Sequence, residues 1–132
     1  MATVFTRIIE GELPGVFVHR DERCAVFMSI NPLAVGHALV VPVREVDHWV
    51  DLKTDEVSHI FTVAHHIGQA QRAAFGCERV GMIIAGYEVP HAHIHLVPTT
   101  DMSQLDFKNA APSADPAELE RAAQAIRDQI AS

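Results

Sequence analysis

Pro90-His91-Ala92-His93-Ile94-His95-Leu96-Val97-Pro98 alternates histidine with apolar residues between two prolines. In an extended strand successive side chains point to opposite faces, so His91, His93 and His95 share one face while Ala92, Ile94 and Leu96 take the other. The apolar face suits a core and the imidazole face suits a cleft wall. On a helix the three histidines would spread over most of the circumference. The flanking prolines also fit the ends of a strand better than a helix interior. The stretch His91 to Val97 is therefore read as a strand, and the rest of the chain has to pack around it.

Immediately upstream, Arg79 to Gly86 (RVGMIIAG) reads as a second strand, with Tyr87-Glu88-Val89 leading into the histidines. His37 to Val43 (HALVVPV) is apolar and β-branched, an inner strand with one histidine at its mouth. Val16–His19 and Cys24–Ile30 form a hairpin about the polar turn Arg20-Asp21-Glu22-Arg23, and Asn31 to Gly36 connects it to the inner strand. Residues 3–9 are apolar enough to pack on the core, and 10–15 (EGELPG) form a turn. The clearest helix starts at Thr54 as N-cap, with Asp55 and Glu56 in its first turn, and stops at Gly76. Val57, Ile60, Phe61, Ala64 and Ile67 carry its apolar stripe. A polar loop spans Thr99 to Ala114. A final helix begins at Asp115-Pro116-Ala117-Glu118, which has a cap, a first-position proline and an acid three after the cap. About five strands and two helices make an α+β domain with an antiparallel sheet, a single domain over residues 1–132.

Composition narrows the function. The 132 residues are 48% hydrophobic and 20% charged, and the net charge is −7 with histidine neutral. That balance argues against a basic surface that coats nucleic acid. Cys24 and Cys77 stand far apart without a CxxC motif, so they read as small buried apolar residues rather than a redox or zinc pair. The opening MATVFTRIIEGELPG, with early charges and short apolar runs, is not expected to act as a secretory signal, and no run approaches the roughly 18–20 apolar residues of a membrane span. The expected location is the cytoplasm. His59, His65 and His66 on the long helix read as surface or helix-edge residues.

Three roles want several imidazoles on one face. One is a metal site, in which two strand histidines two apart are joined by His37 or Glu88. Another is nucleophilic catalysis at phosphorus, where one neutral imidazole attacks while its neighbours bind and protonate oxygens. The third is a partly wet cleft with no chemistry. The outer imidazoles of an ideal strand lie roughly 13 Å apart, too far to meet one ion without a bend. An extended phosphate chain touches successive side chains along such a row, which favours phosphorus chemistry.

His91-Ala92-His93-Ile94-His95-Leu96-Val97 resembles the His-φ-His-φ-His-φ-φ signature of the histidine-triad nucleotide hydrolases and transferases. VFTRIIEGELPG, FMSINPLAVGHALVVP, the long helix and EVPHAHIHLVP occur in that family's order and spacing, over about residues 3–100. The resemblance implies a HIT-like fold and commonly a homodimer whose sheets join. It implies attack by His93 on the α-phosphorus of a purine nucleotide phosphoramidate or dinucleoside polyphosphate, through a nucleotidyl-histidine that water hydrolyses. His95 would contact phosphate oxygens and assist proton transfer, His91 would orient its neighbour, and His37 would complete the cluster. By the same match Phe5, Ile8, Phe27, Ile30 and Leu39 would form the slot for the base, with Ser29 and Asn31 near the ribose and Glu88 beside the nucleotide. No cofactor is implied.

The chain also departs from the family pattern. Ser29 stands where many members carry an acid, Tyr87 where many carry Gln, and Thr99 where Arg is frequent. Zinc-bearing members use two N-terminal cysteines and a later histidine with the first triad histidine; here those three positions are Thr3, Thr6 and Glu45, so no structural zinc is expected there. Ala92, Ile94 and Val97 argue against the galactose-1-phosphate uridylyltransferase type. The DNA-deadenylating type adds a zinc finger, for which no cysteines remain. The phosphoramidase-like and dinucleoside-polyphosphate-hydrolase-like branches stay open. A nucleotide-binding protein with little catalysis and a histidine-ligated metalloenzyme are the alternatives.

Overall fold

The histidine segment joins a five-stranded antiparallel sheet, seen in a computed structural model that describes residues 2–131. The strands are β1 (Phe17–Arg20), β2 (Cys24–Met28), β3 (Ala38–Pro42), β4 (Arg79–Ile83) and β5 (Ile94–Thr99), in the order β1-β2-β3-β5-β4. Three helices flank the sheet: α1 (Val4–Ile9), α2 (Thr54–Phe75) and α3 (Pro116–Ala131). The α+β antiparallel architecture expected from the sequence is present.

Alternation along the inner strands separates two apolar clusters. Val26, Met28, Ala38, Val40, Ile94 and Leu96 face α2 and α3, where Ile60, Ala64, Ile67, Ala123 and Ile126 close the main core. Ala25, Phe27, Leu39 and Val41 point the other way, toward Phe5 and Ile9 of α1. Each fully buried aliphatic side chain in such a layer contributes about 1.5–3 kcal/mol relative to exposure.

The expected histidine strand is corrected in one respect. The β3–β5 ladder ends at the pair Val40 and Ile94, so His91 and His93 precede β5 and only His95 lies within it. Proline removes a ladder donor at both Pro42 and Pro90. The backbone finds other partners: Ala92 N–H donates to the Val46 carbonyl at 2.7 Å, and His91 N–H to the Val89 carbonyl at 2.8 Å. The facing rule survives the early end of the ladder, because Ala92 joins the main core with Ile94 and Leu96 while the histidines face α1.

Smaller differences have local causes. Residues 4–9 form a helix too short to show a full apolar period, capped by Thr3 Oγ1, which accepts from Thr6 N–H at 3.1 Å. The cap of α2 is Lys53 rather than Thr54, because Glu56 Oε1 reaches back to Lys53 N–H at 2.8 Å. Gly76 ends α2 at φ 59°, and Asp115 caps α3 by accepting from Ala117 N–H, as expected. Met102–Leu105 and Phe107–Asn109 form single 3-10 turns within the loop read as polar. Cys24 is buried, but Cys77 is only half-buried, and both are free thiols.

Candidate active site

The bent entry to β5 places four imidazoles and one carboxylate in a connected chain. His91 Nε2 donates to the Pro42 carbonyl at 2.7 Å, which makes its Nδ1 an acceptor for the Thr3 hydroxyl at 2.7 Å. The His91 carbonyl accepts from His93 Nδ1 at 2.7 Å. A carbonyl only accepts, so His93 carries a hydrogen on Nδ1 and its Nε2 is the nitrogen available for chemistry. That Nε2 lies 2.9 Å from Glu88 Oε1, a contact that requires a shared proton between the two atoms.

The same argument orders the second half. His37 Nδ1 accepts the Leu33 N–H at 3.0 Å, so the hydrogen of a neutral His37 sits on Nε2 and points at His95 Nδ1, 3.0 Å away. His95 therefore presents an Nε2–H, which meets Glu88 Oε1 at 3.2 Å. Burial pushes His37 down to about 3, with repulsion from His95 and His93 adding to it. Burial, and then His93, also lowers His95, against the pull of Glu88. Burial is the main cause of the lowered value of His91 as well. Burial alone would raise Glu88, but its hydrogen bonds from His93 and His95 prevail and hold it below the ordinary range.

The remaining predicted residues divide by location. Phe5 stacks edge-on against His93 with ring centroids 4.9 Å apart, and Phe27 lies edge-on to Phe5 at 5.6 Å. Leu39 belongs to this cluster and Ile8 packs on its border, so these four share one apolar floor with the imidazoles. Ser29 is nearly buried, and its Oγ accepts from Asn31 N–H at 3.3 Å. Ile30 projects outward, 67% exposed. The Asn31 amide is spent on the C-terminal segment, donating to the Ala111 and Pro112 carbonyls at 3.3 and 2.6 Å. Thr99 is buried and donates to the Arg79 carbonyl, whereas Tyr87 is 98% exposed.

Phe107 escaped the sequence reading. It reaches back from its 3-10 turn to lie edge-on against His95, with centroids 4.8 Å apart. A lone aromatic in a polar loop carries no periodic signal, and long-range ties, the Asn31 amide to residues 111–112 and Ala111 N–H to the Pro32 carbonyl among them, bring that loop to the site.

The corner where zinc-bearing members would hold their metal is filled by hydrogen bonds. Thr3 N–H donates to Glu45 Oε1 at 2.7 Å and the Thr3 hydroxyl occupies His91 Nδ1. Two neutral hydroxyls and one carboxylate replace soft donors, and the one imidazole is already engaged. This set does not fit a structural zinc ion.

Comparison with known proteins accords with this geometry. The chain is 30% identical over 100 residues to an uncharacterised HIT-like protein of Methanocaldococcus jannaschii, spanning 72% of this chain and 77% of that one. It is 32% identical over 96 residues to an asymmetrical bis(5'-nucleosyl)-tetraphosphatase of Schizosaccharomyces pombe, spanning 67% of this chain but only 53% of that protein. A zinc-bound histidine triad family protein of Mycobacterium smegmatis superposes with a TM-score of 0.82 at 25% identity, covering 99% of this chain and 94% of that one. The HIT domain family model matches residues 10–102. With its histidine chain, its sheet order and this match together, the protein belongs to the HIT domain family.

Proposed function

We propose that the chain hydrolyses purine nucleotide phosphoramidates at the α-phosphorus through a nucleotidyl-His93 intermediate. The observation that carries this reading is the anchoring of His93 Nδ1 on the His91 carbonyl, which leaves Nε2 turned outward to the half-exposed Glu88. The base lies on the apolar floor of Phe5, Phe27 and Leu39. Incoming phosphoramidate displaces Glu88 from His93 Nε2, and the proton the two had shared passes to the bridging nitrogen of the substrate, leaving Glu88 as a carboxylate. The Nε2 lone pair then bonds to phosphorus while the P–N bond breaks, and the protonated nitrogen departs as a neutral amine. His95 Nε2–H, oriented by His37, holds a non-bridging oxygen. Water next attacks phosphorus, Glu88 takes its proton, and His93 departs as a neutral imidazole.

Electrostatics favours an amine over a polyphosphate leaving group. Glu88 puts a carboxylate at the reacting nitrogen, and Thr99 stands where a cation is frequent in relatives. Among the described residues no Lys or Arg hydrogen-bonds to the triad. A chain of several phosphates meets that carboxylate as a like charge. The tetraphosphatase relative keeps dinucleoside polyphosphates as the second substrate class.

Intact mass spectrometry after single-turnover incubation with an adenosine phosphoramidate tests the mechanism. An adenylyl adduct mapping to His93, absent in His93→Ala, is expected. Nucleotide binding with no adduct and no turnover moves the reading to a nucleotide-binding protein, which the Glu88 cap on Nε2 would then explain.

The edge strand β4 leaves one side of the sheet unpaired, with Met82 45% exposed on it. A homodimer joining two such edges is part of the proposal, and sedimentation at several concentrations measures it. No described helix is long and apolar enough to cross a membrane.

A further inference from the structure

A second histidine cluster lies outside the triad. His19 on β1 and His59 on α2 both direct Nε2 at one oxygen of Asp21, Oδ2, at 2.7 and 2.9 Å. The Cys24 thiol at the start of β2 reaches the same oxygen at 3.7 Å. The donor atoms of His19, Asp21 and Cys24 all lie within 4.8 Å of one another. The Asp21 carboxylate is fixed from its far side, where Oδ1 accepts the Arg23 and Cys24 N–H groups at 2.7 and 2.9 Å. The backbone turn therefore orients the carboxylate and leaves Oδ2 facing the two imidazoles.

We propose that His19, Asp21 and His59, with Cys24 as fourth ligand, bind a divalent transition metal of the zinc type. Two imidazole nitrogens, a carboxylate oxygen and a thiolate sulfur form a donor set suited to a tetrahedral borderline-soft ion and unsuited to calcium or magnesium. Tetrahedral zinc with bonds of about 2.0–2.2 Å to nitrogen and oxygen keeps those atoms about 3.3 Å apart, so both imidazoles retreat from Asp21 Oδ2 by roughly half an ångström, and His59, outside the close trio of His19, Asp21 and Cys24, swings toward His19 and Cys24 to complete the set. The ligands come from β1, the β1–β2 turn, the start of β2, and α2. The three histidine and aspartate side chains are about 30% exposed, and a surface cavity lined by Glu22, Arg23 and Glu56 opens beside His59, giving an ion a path in. Without metal, the same groups form the hydrogen-bonded cluster described above. The bound ion pins the outer hairpin to the long helix, away from the triad.

Cobalt titration of the metal-free full chain, followed by absorption and by thermal unfolding, tests this assignment. One Co²⁺ per chain is expected, with four-coordinate visible bands, a thiolate-to-cobalt band in the near ultraviolet, displacement by Zn²⁺, and a raised melting temperature. His19→Gln and His59→Gln each weaken binding roughly tenfold or more, the range that loss of a mere supporting contact already reaches. Glu88→Gln leaves it unchanged. Failure of the folded wild-type chain to bind Co²⁺ and Zn²⁺ overturns the proposal, and so does a titration without the thiolate band. Binding that survives both histidine substitutions and falls with Glu88→Gln overturns it too, by assigning the metal to the triad.

Discussion

Glu88 Oε1 stands 2.9 Å from His93 Nε2 and 3.2 Å from His95 Nε2, so one carboxylate caps both imidazoles at once. Its side chain is 53% exposed, which leaves it room to swing away from the imidazoles. The proton that the cap requires and the charge that it brings both bear on which substrates the site accepts.

Glu88→Gln keeps the shape and removes the charge. Hydrolysis of phosphoramidates is expected to slow, because the leaving nitrogen loses its proton source. The ratio of kcat/KM for a phosphoramidate over a dinucleoside polyphosphate should fall about tenfold, or ~1.4 kcal/mol, a modest share of one charge–charge interaction near a surface. An unchanged ratio would show that Glu88 does not select the leaving group.

Acid should destabilise the fold before its carboxylates titrate. His37 falls from 6.5 to about 3 on folding, and His91 and His95 shift in the same direction. Between those values the unfolded chain binds more protons than the folded one, so stability is full above the unfolded value and declines as pH drops from 6.5 toward 3. His37 alone accounts for up to about 5 kcal/mol across the whole window. Urea midpoints across about pH 7 to 4.5, inside that window, measure the slope. His37→Gln should flatten it, and a slope equal to that of wild type would remove His37 as its source.

Gly36→Ala should cost about 2–4 kcal/mol. The residue has φ +91°, and an added Cβ would overlap the Phe75 ring. Its carbonyl also accepts from the buried Gln71 amide at 2.8 Å, whose second bond goes to the Leu96 carbonyl at 3.1 Å. That one side chain couples the approach to His37 with the strand of His95. Chemical denaturation gives the stability loss, and a reduced rate in the folded fraction is expected alongside it.

Phe107→Ala separates packing from function. The ring is 42% exposed, so the expected stability loss is below about 1 kcal/mol. Its edge contact restrains His95, and turnover should drop several-fold with little change in melting temperature. Wild-type kinetics in the variant would make Phe107 a bystander.

Much of this molecule was legible from local pattern. Alternation at residues 91–97 put the histidines and Ala92, Ile94 and Leu96 on opposite faces, because that property belongs to extended backbone whether or not a ladder continues. The stripe of α2, the stop at Gly76 and the Asp115-Pro116 start of α3 are likewise set within one or two turns of chain. The triad and His37 could be named as one cluster through their resemblance to known motifs.

Other features depend on partners distant in sequence, and only the tertiary structure decided them. The ladder stops at Ile94 because proline denies it a donor and the Val46 carbonyl offers another partner. Asn31 is drawn away to residues 111–112, which delivers Phe107 to His95. The His19–Asp21–His59 cluster depends on α2 crossing the outer hairpin, 38 residues beyond Asp21. Side-chain period records which face a residue takes. Which partner waits there, and which nitrogen keeps the proton, is settled only when the strands and loops close on one another.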